Sequence, residues 1–226
     1  MTAHSAVRRL LAAETLGSLL LAATVVGSGV MAERLAGGNL AVALLANTLA
    51  TVAVLAVLIG LLEPVSGAHL NPAVSLVAAL RGRLAWPVAF GYMLGQVAGC
   101  CAGVVLAHAM FELPIAQLST HVRSGPAQWL AEFVATAGLL FVIGGCTRAE
   151  RAPWLVAGWI GAAYWFTAST SFANPAITIA RSLTDTFAGI RPHDAPAFIA
   201  AQLAGAVVGW LAGRLLFVPP MAMPDA

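Results

Sequence analysis

The chain of 226 residues carries the tripeptide Asn-Pro-Ala twice, as Asn71-Pro72-Ala73 and as Asn174-Pro175-Ala176. Proline suits the first turn of a helix, where its missing N–H group costs no hydrogen bond, and asparagine is favoured at the capping position before that turn. Each tripeptide therefore predicts the start of a helix with an amide at its N-terminus. The amide NH₂ group of each asparagine remains able to donate hydrogen bonds, because capping uses the side-chain oxygen.

Two glutamates, Glu14 and Glu132, lie near the starts of long apolar runs. An ionisable side chain inside a membrane is costly and by default indicates a function. One interpretation makes these carboxylates the proton-coupling groups of a secondary transporter. A second interpretation, in which they hold the backbone, depends on a family resemblance given below.

The composition indicates that these residues belong to a polytopic membrane protein. Hydrophobic residues make up 60% of the chain and charged residues 9%, and the formal net charge is +2. An ordinary soluble domain carries roughly 25% charged residues. The composition therefore excludes a soluble enzyme, a nucleic-acid-binding protein and a disordered adaptor, and the small net charge indicates no anionic partner.

Six apolar runs have the length of a bilayer-crossing helix, which needs about 20 residues. Backbone in lipid must satisfy its own hydrogen bonds, so these runs are predicted to be helices. They are residues 10–32, 39–62, 84–110, 129–146, 153–169 and 194–217.

The segments around the two Asn-Pro-Ala motifs, residues 66–77 and 169–179, are too apolar for aqueous loops and too short to span a bilayer. They predict two half-helices that enter the membrane from opposite faces and meet at its midplane. Irregular backbone at that depth is tolerated where it lines a water-filled cavity.

The arginines between the spans predict the orientation. With the N-terminus inside, seven arginines lie on the cytoplasmic side and four on the opposite side. Because positively charged residues favour the cytoplasm, both termini are predicted to be cytoplasmic. The chain is accordingly expected to be a multi-pass protein of the plasma (inner) membrane.

Three landmarks occur twice in the same order: a glutamate near the start of an apolar run, Asn-Pro-Ala, and a Gln-x-Ala-Gly tetrapeptide. The first copy lies within about residues 10–111 and the second within about 129–217. Three spans in each copy mean that the second copy enters the membrane from the opposite side, which defines an inverted repeat. The prediction is an all-α membrane protein with six transmembrane helices and two half-helices, forming a single channel domain over residues 1–226.

Two Asn-Pro-Ala motifs in equivalent places of a six-span inverted repeat resemble the aquaporin and aquaglyceroporin channels, the major intrinsic proteins. The resemblance extends from Glu14 to about Phe217. It implies a homotetramer in membrane lipid, with one pore per subunit and no cofactor. It also implies that the two Asn-Pro-Ala motifs form the pore centre, where the Asn71 and Asn174 amides donate to the solute. Glu14 and Glu132 would then accept hydrogen bonds from the half-helix loops. We expect His69 to brace the first loop or to line the pore, and we predict no metal site.

The sequence departs from this family at the outer constriction. Members selective for water usually carry an arginine directly after the second Asn-Pro-Ala, where this chain has Ile177. Counting from the motifs predicts Ala162, Ser171 and either Thr51 or Asn47 as the other filter residues. Such a filter is wide and lacks its cation. Arg181, one helical turn beyond Ile177, either restores positive charge at the outer vestibule or is an ordinary interfacial arginine.

The sequence thus predicts a passive membrane channel and no enzyme. Its expected solutes are water and small uncharged molecules, including polyols such as glycerol and neutral metalloid acids such as arsenous acid. The first alternative is an ion-coupled secondary transporter of a small neutral solute, with Glu14 and Glu132 as its coupling groups. A second alternative is a family member with a blocked pore and a structural role.

Overall fold

The computed structural model describes residues 3–217, with side chains described from Ser5 onward. The two termini, which the sequence analysis assigns to the cytoplasm, lie outside this range. Within it the chain forms eight α-helices and one short 3-10 turn, and no strand. The helices are α1 (Ala3–Leu35), α2 (Leu40–Ser66), α3 (Pro72–Leu80), α4 (Trp86–Met110), α5 (Pro126–Gly145), α6 (Ala152–Phe166), α7 (Pro175–Arg181) and α8 (Ala195–Phe217).

Six helices correspond to the six predicted spans. Five of them, α1, α2, α4, α5 and α8, are long and apolar enough to cross a membrane. The remaining one, α6, has only 15 residues and ends at Phe166, before the predicted end of its span at residue 169. It ends early because the chain turns there towards the second half-helix: Thr167 is extended, and Thr170 and Ser171 have left-handed backbone angles.

The two half-helices α3 and α7 begin at the prolines of the Asn-Pro-Ala motifs. The side-chain oxygen of Asn71 accepts a hydrogen bond from the Ala73 N–H, and that of Asn174 accepts from the Ala176 and Ile177 N–H groups. Each asparagine thereby satisfies backbone donors that a helix start leaves free. The local sequence therefore accounts for both half-helix starts.

The two halves of the chain pack in the same way, α1 against α4 and α5 against α8. The glycine of each repeated Gln-x-Ala-Gly tetrapeptide lies at these contacts. A Cβ atom added to Gly99 would lie 2.2 Å from the Thr15 carbonyl oxygen, and one added to Gly205 would lie 2.3 Å from that of Phe133. Glycine is needed here because the backbones of the paired helices touch.

Candidate pore and selectivity filter

A cavity of about 410 Å³ runs between the helices and is lined along its length by residues of both halves. At one end, where α2 finishes and α4 begins, it is bordered by Glu63, Arg81 and Arg83. Towards the other end it is bordered by Tyr164 and Arg181. The Asn-Pro-Ala motifs lie between these two ends, where α3 and α7 begin.

Asn71 and Asn174 are cross-linked by a reciprocal pair of hydrogen bonds. The amide nitrogen of Asn71 donates to the Ala173 carbonyl at 2.8 Å, and that of Asn174 donates to the Leu70 carbonyl at 2.8 Å. Each acceptor directly precedes the opposite asparagine, so the two half-helix starts are tied together. Because an amide carries two N–H bonds, each asparagine retains one further N–H, and both residues border the cavity.

Glu14 is fully buried and holds the first half-helix loop. One carboxylate oxygen accepts from the Ser66 hydroxyl at 2.6 Å and from the His69 N–H at 3.0 Å. The other accepts from the Leu70 N–H at 2.7 Å and from the Gln96 amide at 2.7 Å. Both oxygens of the carboxylate are therefore engaged by donors that fix the loop.

Glu132 holds the second half-helix loop in the same manner and is also fully buried. Its two oxygens accept from the Phe172 N–H and the Ala173 N–H, each at 2.9 Å. The Gln202 amide adds a third donor at 2.6 Å. The two embedded carboxylates thus make equivalent contacts in the two halves. These contacts agree with the interpretation in which Glu14 and Glu132 hold the backbone of the half-helix loops.

The held loops have strained backbone at equivalent positions. Ala68 and Leu70 in the first loop, and Ser171 and Ala173 in the second, have φ between 46° and 51°. Left-handed backbone is unfavourable for residues with a Cβ atom and persists where surrounding contacts impose it. The carboxylate hydrogen bonds to the Leu70 and Ala173 N–H groups supply such contacts.

His69 lies in the first loop and borders the cavity. Its Nδ1 atom lies 3.1 Å from the Ser75 hydroxyl, and the edge of its ring packs on Tyr92 with centroids 5.4 Å apart. His69 therefore joins the first loop to α3 and α4 and also borders the cavity, so both roles considered from the sequence, loop brace and pore lining, fit its position.

Residues of α2, α6 and the second loop border the cavity towards its Tyr164 and Arg181 end. The Thr51 hydroxyl lies 3.3 Å from the Tyr164 hydroxyl across the α2–α6 contact. Ser171 and Ile177 border the same region, and the buried Ser171 hydroxyl has no hydrogen-bond partner among the described residues. The structure therefore brings together three of the residues expected at the filter: Thr51, Ser171 and Ile177.

The assignment of Ala162 to the filter is wrong, and of the alternatives Thr51 and Asn47 it is Thr51 that borders the cavity. Ala162 is exposed on the outer surface of α6 and does not border the cavity. Asn47 is buried but donates to the Val25 carbonyl and the Ser28 hydroxyl, so it joins α2 to α1. The count to Ala162 failed because it crossed non-helical residues, over which helical spacing does not keep a side chain on one face.

Tyr164 is the α6 residue that borders the cavity beside Thr51, and it was not predicted from the sequence. Val156, Ile160 and Tyr164 all border the cavity at intervals of four residues, which is the spacing of one helix face. Counting along α6 itself would have found this face. The glutamines Gln96 and Gln202 were noticed as repeat landmarks, but their bonds to Glu14 and Glu132 were not predicted.

Arg181 is buried and borders the cavity, so it is not an exposed interfacial arginine. Its Nε atom donates to the Ala188 carbonyl, and its guanidinium carbon lies 3.4 Å from the centre of the Phe172 ring. Arg123 approaches the same ring at 5.1 Å and donates to the Gly189 carbonyl. Two guanidinium groups therefore approach the Phe172 ring, and that of Arg181 borders the cavity.

Comparisons with known proteins agree with this architecture. The sequence profile of the major intrinsic protein family matches residues 1–166. Aquaglyceroporin AqpS of Rhizobium meliloti (strain 1021) is 56% identical over 165 residues, covering 72% of this chain and 71% of that protein. Aquaporin NIP1-3 of Oryza sativa subsp. japonica is 34% identical over 170 residues, covering 71% of this chain and 58% of the rice protein.

The fold is also similar to that of a solved channel. The X-ray structure of the aquaglyceroporin from Plasmodium falciparum superposes with a TM-score of 0.67. The match covers 92% of this chain and 95% of the other at 20% sequence identity. The predicted fold class, six membrane helices with two half-helices, is confirmed.

A cavity that is lined by both halves of the chain, and beside which two half-helix starts meet, is typical of a membrane channel. The chain belongs to the major intrinsic protein family. It is a membrane channel for water and small uncharged solutes, as the sequence predicts.

Proposed function

We propose that Asn71 and Asn174 bind the permeating molecule at the centre of the pore. The observation that carries this assignment is the reciprocal hydrogen bonding, which orients both amides and leaves each one N–H for a solute. A water molecule accepting there directs its own hydrogens away from the centre, towards both ends of the pore. A continuous proton-conducting chain of water is thereby interrupted, and the two converging helix starts oppose cations.

The proposed filter consists of Thr51, Tyr164, Ser171, Ile177 and Arg181. The first three present hydroxyl groups, and the free Ser171 hydroxyl is available to a polyol or a water molecule. Ile177 replaces the usual arginine with an apolar side chain, which suits the carbon backbone of a polyol. Arg181, anchored by Phe172 and the Ala188 carbonyl, supplies the positive charge that Ile177 lacks.

Glycerol and neutral metalloid acids such as arsenous acid are the proposed solutes besides water. Two observations support them: the apolar Ile177 at the constriction, and the 56% identity to a relative named an aquaglyceroporin. Both solutes are uncharged and carry several hydroxyl groups, so they can bond with donors and acceptors along the pore.

We also propose a homotetramer in lipid, with both termini cytoplasmic, in the plasma (inner) membrane. Large apolar side chains exposed on the outer helix surfaces, such as Leu45, Leu49 and Leu94, support contact with lipid or neighbouring subunits. The excess of arginines near the inner end of the cavity supports the orientation. The proposed channel catalyses no reaction and uses no cofactor.

The transporter alternative is not favoured. A coupling carboxylate must release and rebind a proton, whereas Glu14 and Glu132 already accept hydrogen bonds on both oxygens and hold strained loops. Protonating either would remove acceptors from buried donors, at a cost of about 1–3 kcal/mol for each donor.

Swelling of proteoliposomes in water, glycerol, urea and arsenous acid gradients tests the proposal. A channel gives solute flux that rises in proportion to concentration without saturation and is unaffected by a proton gradient. Saturation together with stimulation by a proton gradient would establish the transporter, and the absence of flux for every solute would establish a blocked pore.

A further inference from the structure

A second cavity, of about 180 Å³, adjoins the inner end of the pore. It lies between the connection from α3 to α4 and the last turns of α5 and α8. Three arginines border it: Arg81 and Arg83 from the connection, and Arg214 from α8. Trp210 and Phe217 complete its α8 side. We call this second cavity the arginine cleft.

The positive charges of the arginine cleft are uncompensated within the described part of the chain. No side-chain hydrogen bond and no ion pair joins Arg81, Arg83 or Arg214 to residues 5–217, and the ion pair found there joins Arg191 to Asp194. Burial lowers the pKa of Arg81, and the charges of Arg83 and Arg214 lower it further. The three guanidinium groups therefore repel one another.

The cleft also holds an unused neutral donor. The indole Nε1 atom of Trp210 is buried and has no hydrogen-bond acceptor among the described residues. An indole N–H can only donate, and buried donors are normally paired. The guanidinium of Arg214 lies over the same indole ring, 5.6 Å from its centre. Every polar side chain of the α8 wall is thus a donor that lacks an acceptor.

We propose that the arginine cleft binds a phosphate group, carried either by an acidic phospholipid or by a soluble phosphate. A ligand there must be negatively charged and must offer several acceptor oxygens, because the cleft presents three guanidinium groups and one indole N–H. A carboxylate has two oxygens, whereas a phosphate has enough to accept from several arginines, and the planar guanidinium matches phosphate geometry.

The location of the arginine cleft is compatible with a phosphate from an acidic phospholipid and with a soluble phosphate. The exposed Leu215 and Leu216 directly follow Arg214 on α8 and offer an apolar surface that suits the acyl chains of a lipid. Arg81 and Arg83 also border the main cavity, so the cleft adjoins the end of the pore that a soluble phosphate would reach from the water. Basic pockets between membrane helices on the cytoplasmic side are suited to anionic headgroups.

The test titrates the full-length protein in detergent with three probes: inorganic phosphate, short-chain phosphatidylglycerol and short-chain phosphatidylcholine. Binding is compared in wild type, Arg214→Gln, Arg83→Gln and Trp210→Phe. Arg148→Gln is the control, because Arg148 is exposed on the same side of the protein and lies outside the cleft. Gel filtration of every variant establishes that it is folded, and wild-type water permeability adds this for Arg214→Gln, because Arg214 does not border the pore.

We expect each arginine variant to weaken binding by about tenfold or more, the range for hydrogen bonds to charged groups, and added salt to weaken it further. Trp210→Phe should weaken it less, and Arg148→Gln should leave it unchanged. Binding of inorganic phosphate identifies a soluble ligand, and binding of phosphatidylglycerol alone identifies a lipid. Equal binding of phosphatidylcholine, equal loss in Arg148→Gln, or no binding of any probe would overturn the proposal.

Discussion

The guanidinium carbon of Arg181 lies 3.4 Å from the centre of the Phe172 ring, so a buried arginine is stacked on an aromatic side chain at the outer half of the pore. An arginine over an aromatic face is held both by packing and by attraction to the ring. Phe172 is itself fixed, because its N–H donates to Glu132 and its ring packs on Phe198. The loop brace and the filter charge are therefore one connected assembly.

Replacement of Arg181 by glutamine should raise the leak of protons and potassium ions while water permeability persists. The glutamine keeps a polar side chain but removes the fixed charge, which acts strongly in a narrow, poorly hydrated passage. A pH-sensitive dye inside proteoliposomes measures the proton leak. The matched control is Arg34→Gln, an exposed arginine outside the cavity. Equal leaks in the two variants would show that Arg181 does not supply the cation barrier.

Replacement of Ile177 by arginine should lower the permeability to glycerol and arsenous acid by a larger factor than the permeability to water. The longer side chain narrows the constriction and adds N–H donors that a single water molecule can use. Ile177→Leu, which conserves volume, serves as the control and should keep the wild-type ratio. Both fluxes are measured on the same vesicles. An unchanged ratio of glycerol to water flux in Ile177→Arg would remove Ile177 from the filter.

Removal of the Glu132 carboxylate should destabilise the protein, and glutamine should be tolerated better than alanine. In Glu132→Ala, three buried donors lose their acceptor, at about 1–3 kcal/mol each, whereas glutamine retains one oxygen. Thermal unfolding in detergent measures the difference, with the exposed Glu150→Ala as control. A Glu132→Gln protein of normal stability whose uptake has lost its response to a proton gradient would instead support the transporter.

Addition of a methyl group to Gly205 should disrupt the α5–α8 contact. The new Cβ atom would lie 2.3 Å from the Phe133 carbonyl oxygen, which is backbone and cannot move aside cheaply. The control is Gly158→Ala in α6, where nothing lies within 4 Å of the new atom and alanine is the better helix former. Thermal unfolding should show a lower midpoint for Gly205→Ala and an equal or higher one for Gly158→Ala. The reverse order would contradict the close helix approach.

The sequence predicted the half-helices and the repeat because their determinants are local. Asparagine followed by proline favours a helix start, and the two copies of the motif reinforce each other. The length of α6 and the position of Ala162 could not be predicted, because both depend on how the strained residues 167–173 connect the helix to α7. That path is fixed by Glu132, which is distant in sequence.

The hydrogen bonds that join the two Asn-Pro-Ala motifs could not be predicted from the local sequence either. Helix capping explains the side-chain oxygens of Asn71 and Asn174, and from the sequence alone their amide nitrogens would be free. In the structure each nitrogen donates one hydrogen bond to the opposite loop, a contact between residues more than a hundred positions apart. Because the amide group is planar, the hydrogen bond made by one N–H of each asparagine also fixes the direction of its second N–H.

The water and glycerol flux of Asn71→Asp and Asn174→Asp in proteoliposomes tests whether the two asparagines bind the permeating molecule. Aspartate is nearly the same size and can still cap the half-helix, but it lacks both N–H donors. Asn39→Asp is the control, because Asn39 caps α2 on the exposed surface and aspartate caps a helix equally well. We predict that both pore variants lose flux by about tenfold or more per folded protein, while Asn39→Asp retains it. Wild-type flux in folded Asn71→Asp and Asn174→Asp would show that neither asparagine binds the permeating molecule.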